Sequence, residues 1–249
     1  LHRRSLLILG GTAEASALAR ALASCDDIAP VLSFAGRTQA PLPPPIPYRV
    51  GGFGGSAGLI RYLRETRTEM MIDATHPFAA RMSHHASEAA TATGIAFLAI
   101  RRPAWQAQPG DRWTQVADLI GAAEALGPIP RHVFLAIGRQ ELAPFRARPH
   151  HYVIRSVERP DAAEAPEGAT LLTARGPFDE AAERDLFRKH NIDCLVTKNS
   201  GGVTGAKLVA ARTLNLPVII VTRPEKPPAP TVTDEAGALA WLHDTRRGV

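Results

Sequence analysis

Residues 5–24 read SLLILGGTAEASALARALAS. Ser5–Leu9 is a short apolar run, which fits a strand covered on both faces. Gly10-Gly11-Thr12 is a turn, with Thr12 suited to cap a helix. Ala17, Leu18, Ala21 and Leu22 then recur at helical spacing, which predicts a helix over Ala13–Ser24. Strand, glycine turn and helix in that order form the opening unit of a parallel α/β sheet.

The same alternation continues along the chain. Apolar runs predict strands at Val31–Phe34, Tyr48–Val50, Met70–Ala74 and Ala96–Ile100, with helices at Ala57–Glu65 and Phe78–Thr93. The texture becomes irregular over Arg102–Asp111. Trp113–Val116 reads as an edge strand, and Asp118–Leu126 as a helix capped by Asp118. Gly127-Pro128-Ile129-Pro130 has linker composition. A second series follows, with strands at Val133–Ile137, Tyr152–Arg155, Leu171–Thr173, Cys194–Thr197 and Val218–Val221. Its helices are expected near Arg139–Phe145, Asp179–His190, Gly205–Leu214 and Glu235–Asp244. The expected fold class is α/β. It comprises two Rossmann-like, doubly wound parallel-sheet lobes with a cleft between them. The expected domains are residues 1–128, binding nucleotide, and residues 129–249, contributing to substrate and cofactor binding.

Composition narrows the function classes. The chain has 249 residues, enough for a sizeable core, with 45% hydrophobic and 21% charged residues. No apolar run approaches the roughly 20 residues of a membrane helix, and Leu6–Leu9 is too short for a signal sequence. Two distant cysteines make no disulfide framework, so a cytoplasmic setting is expected. Lys+Arg outnumber Asp+Glu by 29 to 24, a net charge of +5, and only Lys189, Lys198, Lys207 and Lys226 are lysines. The excess is diffuse and aromatics are only 6% of the chain, which argues against a nucleic-acid partner.

Ligands of open α/β sheets bind at the carboxyl ends of strands. Four strand ends carry unusual residues. Gly10-Gly11-Thr12-Ala13-Glu14 is either a phosphate-approaching turn or a plain β–α connection, since it lacks the full dinucleotide fingerprint. After the second strand, Ser33 and Arg37 stand where dinucleotide-binding folds place an acid for a ribose 2′-OH. An arginine there suits a 2′-phosphate, or is simply an exposed loop residue. Thr75-His76-Pro77 reads as a cap with proline in the first helical turn. His76 is then a cleft-facing proton donor or cofactor contact, or a structural histidine. Lys198-Asn199-Ser200-Gly201-Gly202, continuing to Lys207, is dense in anion-binding groups but lacks the P-loop order. Arg139 and Arg175 sit at two further strand ends. No Cys/His cluster has metal-ligand spacing, so no metal is expected.

Taken in order, LILGGTAEA, SFAGRT, VGGFGG, IDATHPFAARMS, Arg102-Pro103 with Trp105, Gly110-Asp111 with Trp113, AIGRQEL, ARGPF and VTKNSGG with GAK span almost the whole chain. This set resembles the precorrin-6A reductase family of the cobalamin pathway. DATHPFA and TKNSGG are its most specific parts. One departure is Ser16, where the family often has arginine. The resemblance implies an NADPH-dependent reduction (NADH being the variant cofactor) of one double bond in the precorrin-6A macrocycle. The product is precorrin-6B, with hydride delivered to C19 and a proton to the neighbouring carbon.

With the resemblance, Gly10, Gly11, Thr12, Glu14, Ser33, Arg37, Thr75, His76, Pro77, Ser200 and Gly201 are assigned to the cofactor. Arg139, Arg175, Lys198, Asn199 and Lys207 are assigned to the polycarboxylate tetrapyrrole, the alternative anion for them being the cofactor phosphates. Lys198 and His76 are the candidate catalytic residues. Neighbouring enzymes of the pathway are the expected protein partners. The competing readings are a cobalt-precorrin-6A reductase and a non-catalytic nucleotide- or tetrapyrrole-binding protein.

Overall fold

The computed structural model describes residues 2–36, 43–161, 163–202 and 205–245. They form two compact units. One comprises residues 1–103 together with 224–249, and the other residues 104–223.

The first unit is built from β1 (Arg4–Leu9), α1 (Ala13–Ala21), β2 (Ile28–Phe34), β3 (Tyr48–Val50), α2 (Gly55–Glu65), β4 (Met70–Asp73), α3 (Ala80–Thr93) and β5 (Ala96–Ile100). Its sheet is parallel at every described pairing. The run Leu6-Leu7-Ile8-Leu9 is apolar at consecutive positions because both faces are covered. Leu6 and Ile8 join a core with Leu18 of α1. Leu7 and Leu9 join another with Leu59 and Leu63 of α2 and Ala86 and Ala89 of α3. β2 starts at Ile28, earlier than its apolar run. Pro30 lies before the part of β2 that β3 covers, Leu32–Phe34, so its missing N–H breaks no bond to β3.

The second unit contains β6 (Arg112–Val116), α4 (Leu119–Ala125), β7 (His132–Ala136), β8 (His151–Ser156), β9 (Thr170–Thr173), α5 (Glu180–Lys189), β10 (Cys194–Lys198), α6 (Ala206–Thr213) and β11 (Pro217–Val221). Phe134, Leu195, Val218 and Ile220 pack with Phe187 of α5 and Leu208 of α6. The helix expected over Arg139–Phe145 is instead two short 3-10 turns, Arg139–Glu141 and Ala143–Phe145. Pro144 stands in the second, where it cannot donate to a longer helix.

The last strand and helix, β12 (Thr231–Val232) and α7 (Glu235–Asp244), return to the first unit. The strand orders are β12-β5-β4-β1-β2-β3 and β6-β11-β10-β7-β8-β9. Each is the doubly wound order 3-2-1-4-5-6. In each, the sixth strand comes from the opposite half of the sequence. β6 follows β5 in the chain but pairs with β11. β12 follows β11 but pairs with β5. The chain therefore leaves the first unit near Pro103, not at the expected border at 128. Gly127-Pro128-Ile129-Pro130 only joins α4 to β7 inside the second unit.

α7 completes the first core, with Ala238 fully buried and Leu242 at 2% exposure beside Leu6 and Leu18. Leu242→Ala is expected to lower unfolding free energy by about 2–5 kcal/mol in urea titrations. A fragment ending at residue 128 lacks β12 and α7. It is expected to show no cooperative thermal transition by circular dichroism, whereas the full chain does.

Candidate functional site

In the first unit, β1 ends at the glycine turn. The Gly10 N–H donates to the Ser33 carbonyl at 2.9 Å. A Cβ on Gly10 would stand 2.7 Å from Leu32 Cδ1, so a larger residue would have to displace the Leu32 side chain for the turn to lie against β2. Gly11 has φ of +114° and open space where a side chain would project. Thr12 caps α1 by accepting from the Ala15 N–H at 3.2 Å. Its own hydroxyl proton goes to the Ala74 carbonyl at 2.8 Å. What the turn still offers an anion is backbone N–H at the N-terminus of α1. Glu14 forms an ion pair of 2.9 Å with Arg102. Ser16, the departure from the family pattern, donates to the Thr12 carbonyl at 3.2 Å.

The end of β4 is organised by Asp73, whose side chain is fully buried. Its carboxylate accepts from Thr75 N–H at 3.1 Å, Thr75 Oγ1 at 2.6 Å and Ser83 Oγ at 2.6 Å. Arg101 approaches it at 3.4 Å. Thr75 is not the cap expected of it. The helix begins too far along the chain for it: α3 starts at Ala80, with Ala79 at the cap position and no side-chain cap. Pro77 instead lies in a turn closed by the Ala79 N–H donating to the His76 carbonyl at 2.8 Å. His76 Nδ1 accepts from the Phe78 N–H at 3.2 Å, which leaves the proton of the neutral ring on Nε2.

Lys226 also reaches this turn. It donates to Thr75 Oγ1 at 3.2 Å and to the His76 carbonyl at 3.0 Å. Nothing local in the sequence pointed to it. It lies in the Pro-rich return from β11 to β12, 150 residues from His76. At the end of β2, Ser33 is buried and its hydroxyl accepts from Arg49 at 2.8 Å. Arg37 lies outside the described residues.

In the second unit, β10 ends at Lys198. Its ammonium bonds the Glu141 carboxylate, which also accepts from the Gly138 N–H at 3.1 Å. A Cβ on Gly138 would stand 2.7 Å from that carboxylate oxygen, so the glycine makes room for the pair. Asn199 is held by Trp105 through both ends of its amide. Oδ1 accepts from the Trp105 N–H at 2.8 Å and Nδ2 donates to the Trp105 carbonyl at 3.0 Å. Arg223 donates to the Asn199 and Ser200 carbonyls at 2.8 and 2.9 Å. Gly201 and Gly202 follow at φ +66° and +80°, and the Trp105 indole donates to the Gly202 carbonyl at 2.9 Å. The Lys207 ammonium lies 4.5 Å from the Trp105 ring centre.

Arg139 pairs with Glu158 at 3.1 Å. Arg175 is exposed beyond β9, with no carboxylate partner among the described residues. The Gly110-Asp111 motif is structural: Asp111, nearly fully buried, takes two bonds from Arg212 at 2.9 and 3.1 Å. The structure thus gathers Gly10, Gly11, Thr12, Ser33, Thr75, His76 and Pro77 at one sheet edge, and Lys198, Asn199, Ser200, Gly201 and Lys207 at the other. Among the described residues no group of three or more His, Cys, Asp or Glu side chains is placed to hold a metal ion. No described helix is long and apolar enough to cross a membrane.

Asp73→Asn replaces an acceptor of three hydrogen bonds, two of them short, and an arginine's partner with an amide. It is expected to destabilise the protein by about 2–4 kcal/mol, read from denaturant midpoints. An unchanged midpoint removes Asp73 as the organiser of this turn.

A family model described as precorrin-6x reductase CbiJ/CobK matches residues 5–243. A precorrin-6A reductase of Rhodobacter capsulatus is 48% identical over 249 residues, covering 98% of this chain and 99% of that one. A cobalt-precorrin-6A reductase of Salmonella typhimurium is 27% identical over 238 residues, covering 90% of this chain and 89% of that one. A solved CobK precorrin-6A reductase has the same fold at a TM-score of 0.92 and 47% identity, covering 97% of this chain and 96% of its own. With sequence and fold matched from end to end, the chain belongs to the precorrin-6A reductase family, oxidoreductases of cobalamin biosynthesis that act on a C=C bond.

Proposed function

We propose that this reductase takes its reducing equivalents from NADPH and converts precorrin-6A to precorrin-6B. The observation that carries the cofactor reading is the end of β1. There a glycine turn, close against Leu32 at Gly10 and open at Gly11 with φ +114°, leads into the N-terminus of α1, and Ser33, not an acid, follows at the end of β2. That arrangement fits a pyrophosphate and tolerates a 2′-phosphate. Bound there, NADPH supplies a hydride to the macrocycle, at C19.

The chain's own residues hold, orient and protonate. Gly11 and the first turn of α1 present N–H groups to phosphate, and Gly10, its own N–H bonded to the Ser33 carbonyl, keeps the turn against β2. Thr12 and Glu14 keep that turn in place through Ala74 and Arg102. His76 offers an N–H from Nε2, and the Thr75-His76-Pro77 turn fixes its ring. We assign it to the nicotinamide half, beside the switch between β1 and β4. In the second unit, Gly201 is the backbone donor we assign to the cofactor, since the Ser200 N–H already goes to the Lys198 carbonyl at 2.8 Å; Ser200 is assigned to the cofactor through its side chain.

For the substrate, Arg175, Arg139 and Lys207 supply positive charge suited to acetate and propionate carboxylates. Asn199 shapes the loop from its place against Trp105. Lys198, an ammonium held by Glu141, is the assigned proton source for the carbon next to the hydride acceptor. The setting we propose is the cytoplasm, with neighbouring enzymes of the pathway as partners that supply substrate and accept product.

Three experiments test this reading. Loss of 340 nm absorbance with precorrin-6A and NADPH is expected, whereas binding without turnover favours a carrier. Arg37→Ala is expected to raise KM for NADPH at least about tenfold while leaving NADH little changed. Equal loss for both cofactors removes Arg37 from the 2′-phosphate. Lys198→Ala is expected to lower kcat about 10²-fold with a smaller change in KM for NADPH. Unchanged kinetics take Lys198 out of the site.

A further inference from the structure

Four arginines of the first unit are half-buried among the described residues: Arg4, Arg49, Arg101 and Arg102. Three of them face a carboxylate, respectively Asp27, Asp73 and Glu14 for Arg4, Arg101 and Arg102. Arg49 does not. Its guanidinium donates to Ser33 Oγ at 2.8 Å, to the Gly51 carbonyl at 2.8 Å and to the Gly52 carbonyl at 3.1 Å. It lies 3.9 Å from the Phe53 ring centre and 5.4 Å from that of Tyr62. Every described partner is neutral. A guanidinium partly withdrawn from water, with no anion beside it, favours an anionic ligand.

Its place names the anion. Ser33 and Arg49 are register partners across β2 and β3, at the carboxyl ends of both strands. That is where a doubly wound fold meets the adenosine ribose of a dinucleotide. The surrounding backbone leaves room: a Cβ on Gly51, Gly52, Gly54 or Gly55 would meet nothing within 4 Å. Phe53, its ring centre 3.9 Å from the guanidinium carbon, supports the fork from one face, a placement suited to two-pronged recognition of phosphate.

We propose that Arg49, presented by Ser33 and Phe53, is a residue that recognises the 2′-phosphate of NADPH and so contributes to the enzyme's preference for it over NADH. The inference rests on the NADPH reading above. It adds a second arginine to the 2′-phosphate role that the sequence alone gives to Arg37. Arg49 touches cofactor and not the reacting atoms; it is a specificity residue.

Calorimetric titration of the full chain with adenosine 2′,5′-bisphosphate and with 5′-AMP isolates the contact, because the two probes differ only in the 2′-phosphate. Wild type is expected to favour the bisphosphate. Arg49→Met is expected to weaken the bisphosphate about 10- to 100-fold and 5′-AMP by less than about twofold. Equal weakening of both, or of neither, overturns the role of Arg49 and leaves the NADPH reading standing. Wild type binding both probes equally overturns the NADPH reading itself, and Arg49's role with it. Arg49→Lys keeps the charge without the fork. If the Met variant does not fold, selective loss of the bisphosphate in the Lys variant supports the proposal, and parallel loss of both probes overturns it.

Discussion

Every described ladder in both sheets is parallel, and a parallel sheet has a direction. All strands of a unit deliver their carboxyl ends to one edge. Each chain reversal at that edge then faces the N-terminal end of a following helix or turn, with its unbonded N–H groups. Nearly every residue assigned to cofactor or substrate lies on such a reversal. The chemistry is concentrated there because the burial of both sheet faces leaves little else for function. The faces themselves are closed by α1 and α7 on one side of the first sheet and by α2 and α3 on the other.

At those edges, charge is handled by pairing. Asp73 with Arg101, Glu14 with Arg102, Glu141 with Lys198 and Glu158 with Arg139 each join residues brought close by the fold. Such pairs are poor sources of net stability, since desolvation offsets much of the attraction. Their value is geometric. Asp73 takes the only proton of Thr75, so Thr75 can receive from Lys226 but has none to return. Glu141 likewise keeps the Lys198 ammonium at the end of β10.

The strands that form the two sheet interiors were legible as apolar runs, since burial on both faces removes any polar alternation. β12 was not. It has two residues, and Pro224, Pro227, Pro228 and Pro230 before it suppress any strand signal. The unit border was misplaced for a related reason. Gly127-Pro128-Ile129-Pro130 has the composition of a linker, while the true exit at Pro103 is signalled only by where β6 finds its partner. Site loops were legible because glycine and capping residues act locally. The groups that hold them were not. Glu141 is 57 residues from Lys198, Lys226 is 151 from Thr75, and Arg49 sits in a three-residue strand with no unusual pattern.

The exchanged sixth strands bear on how the chain is made. A ribosome delivers β1 to β5 first, but β5 then waits as an open edge until Thr231 and Val232 emerge near the C-terminus. Through most of synthesis the first sheet lacks its last strand, and the face of α1 that meets Leu242 is bare. The second unit, complete once β11 has been made, is the part able to close while the chain is still growing. The half that is translated first is therefore the half that finishes last. Stalled or prematurely terminated chains should expose an unpaired strand edge, which invites aggregation.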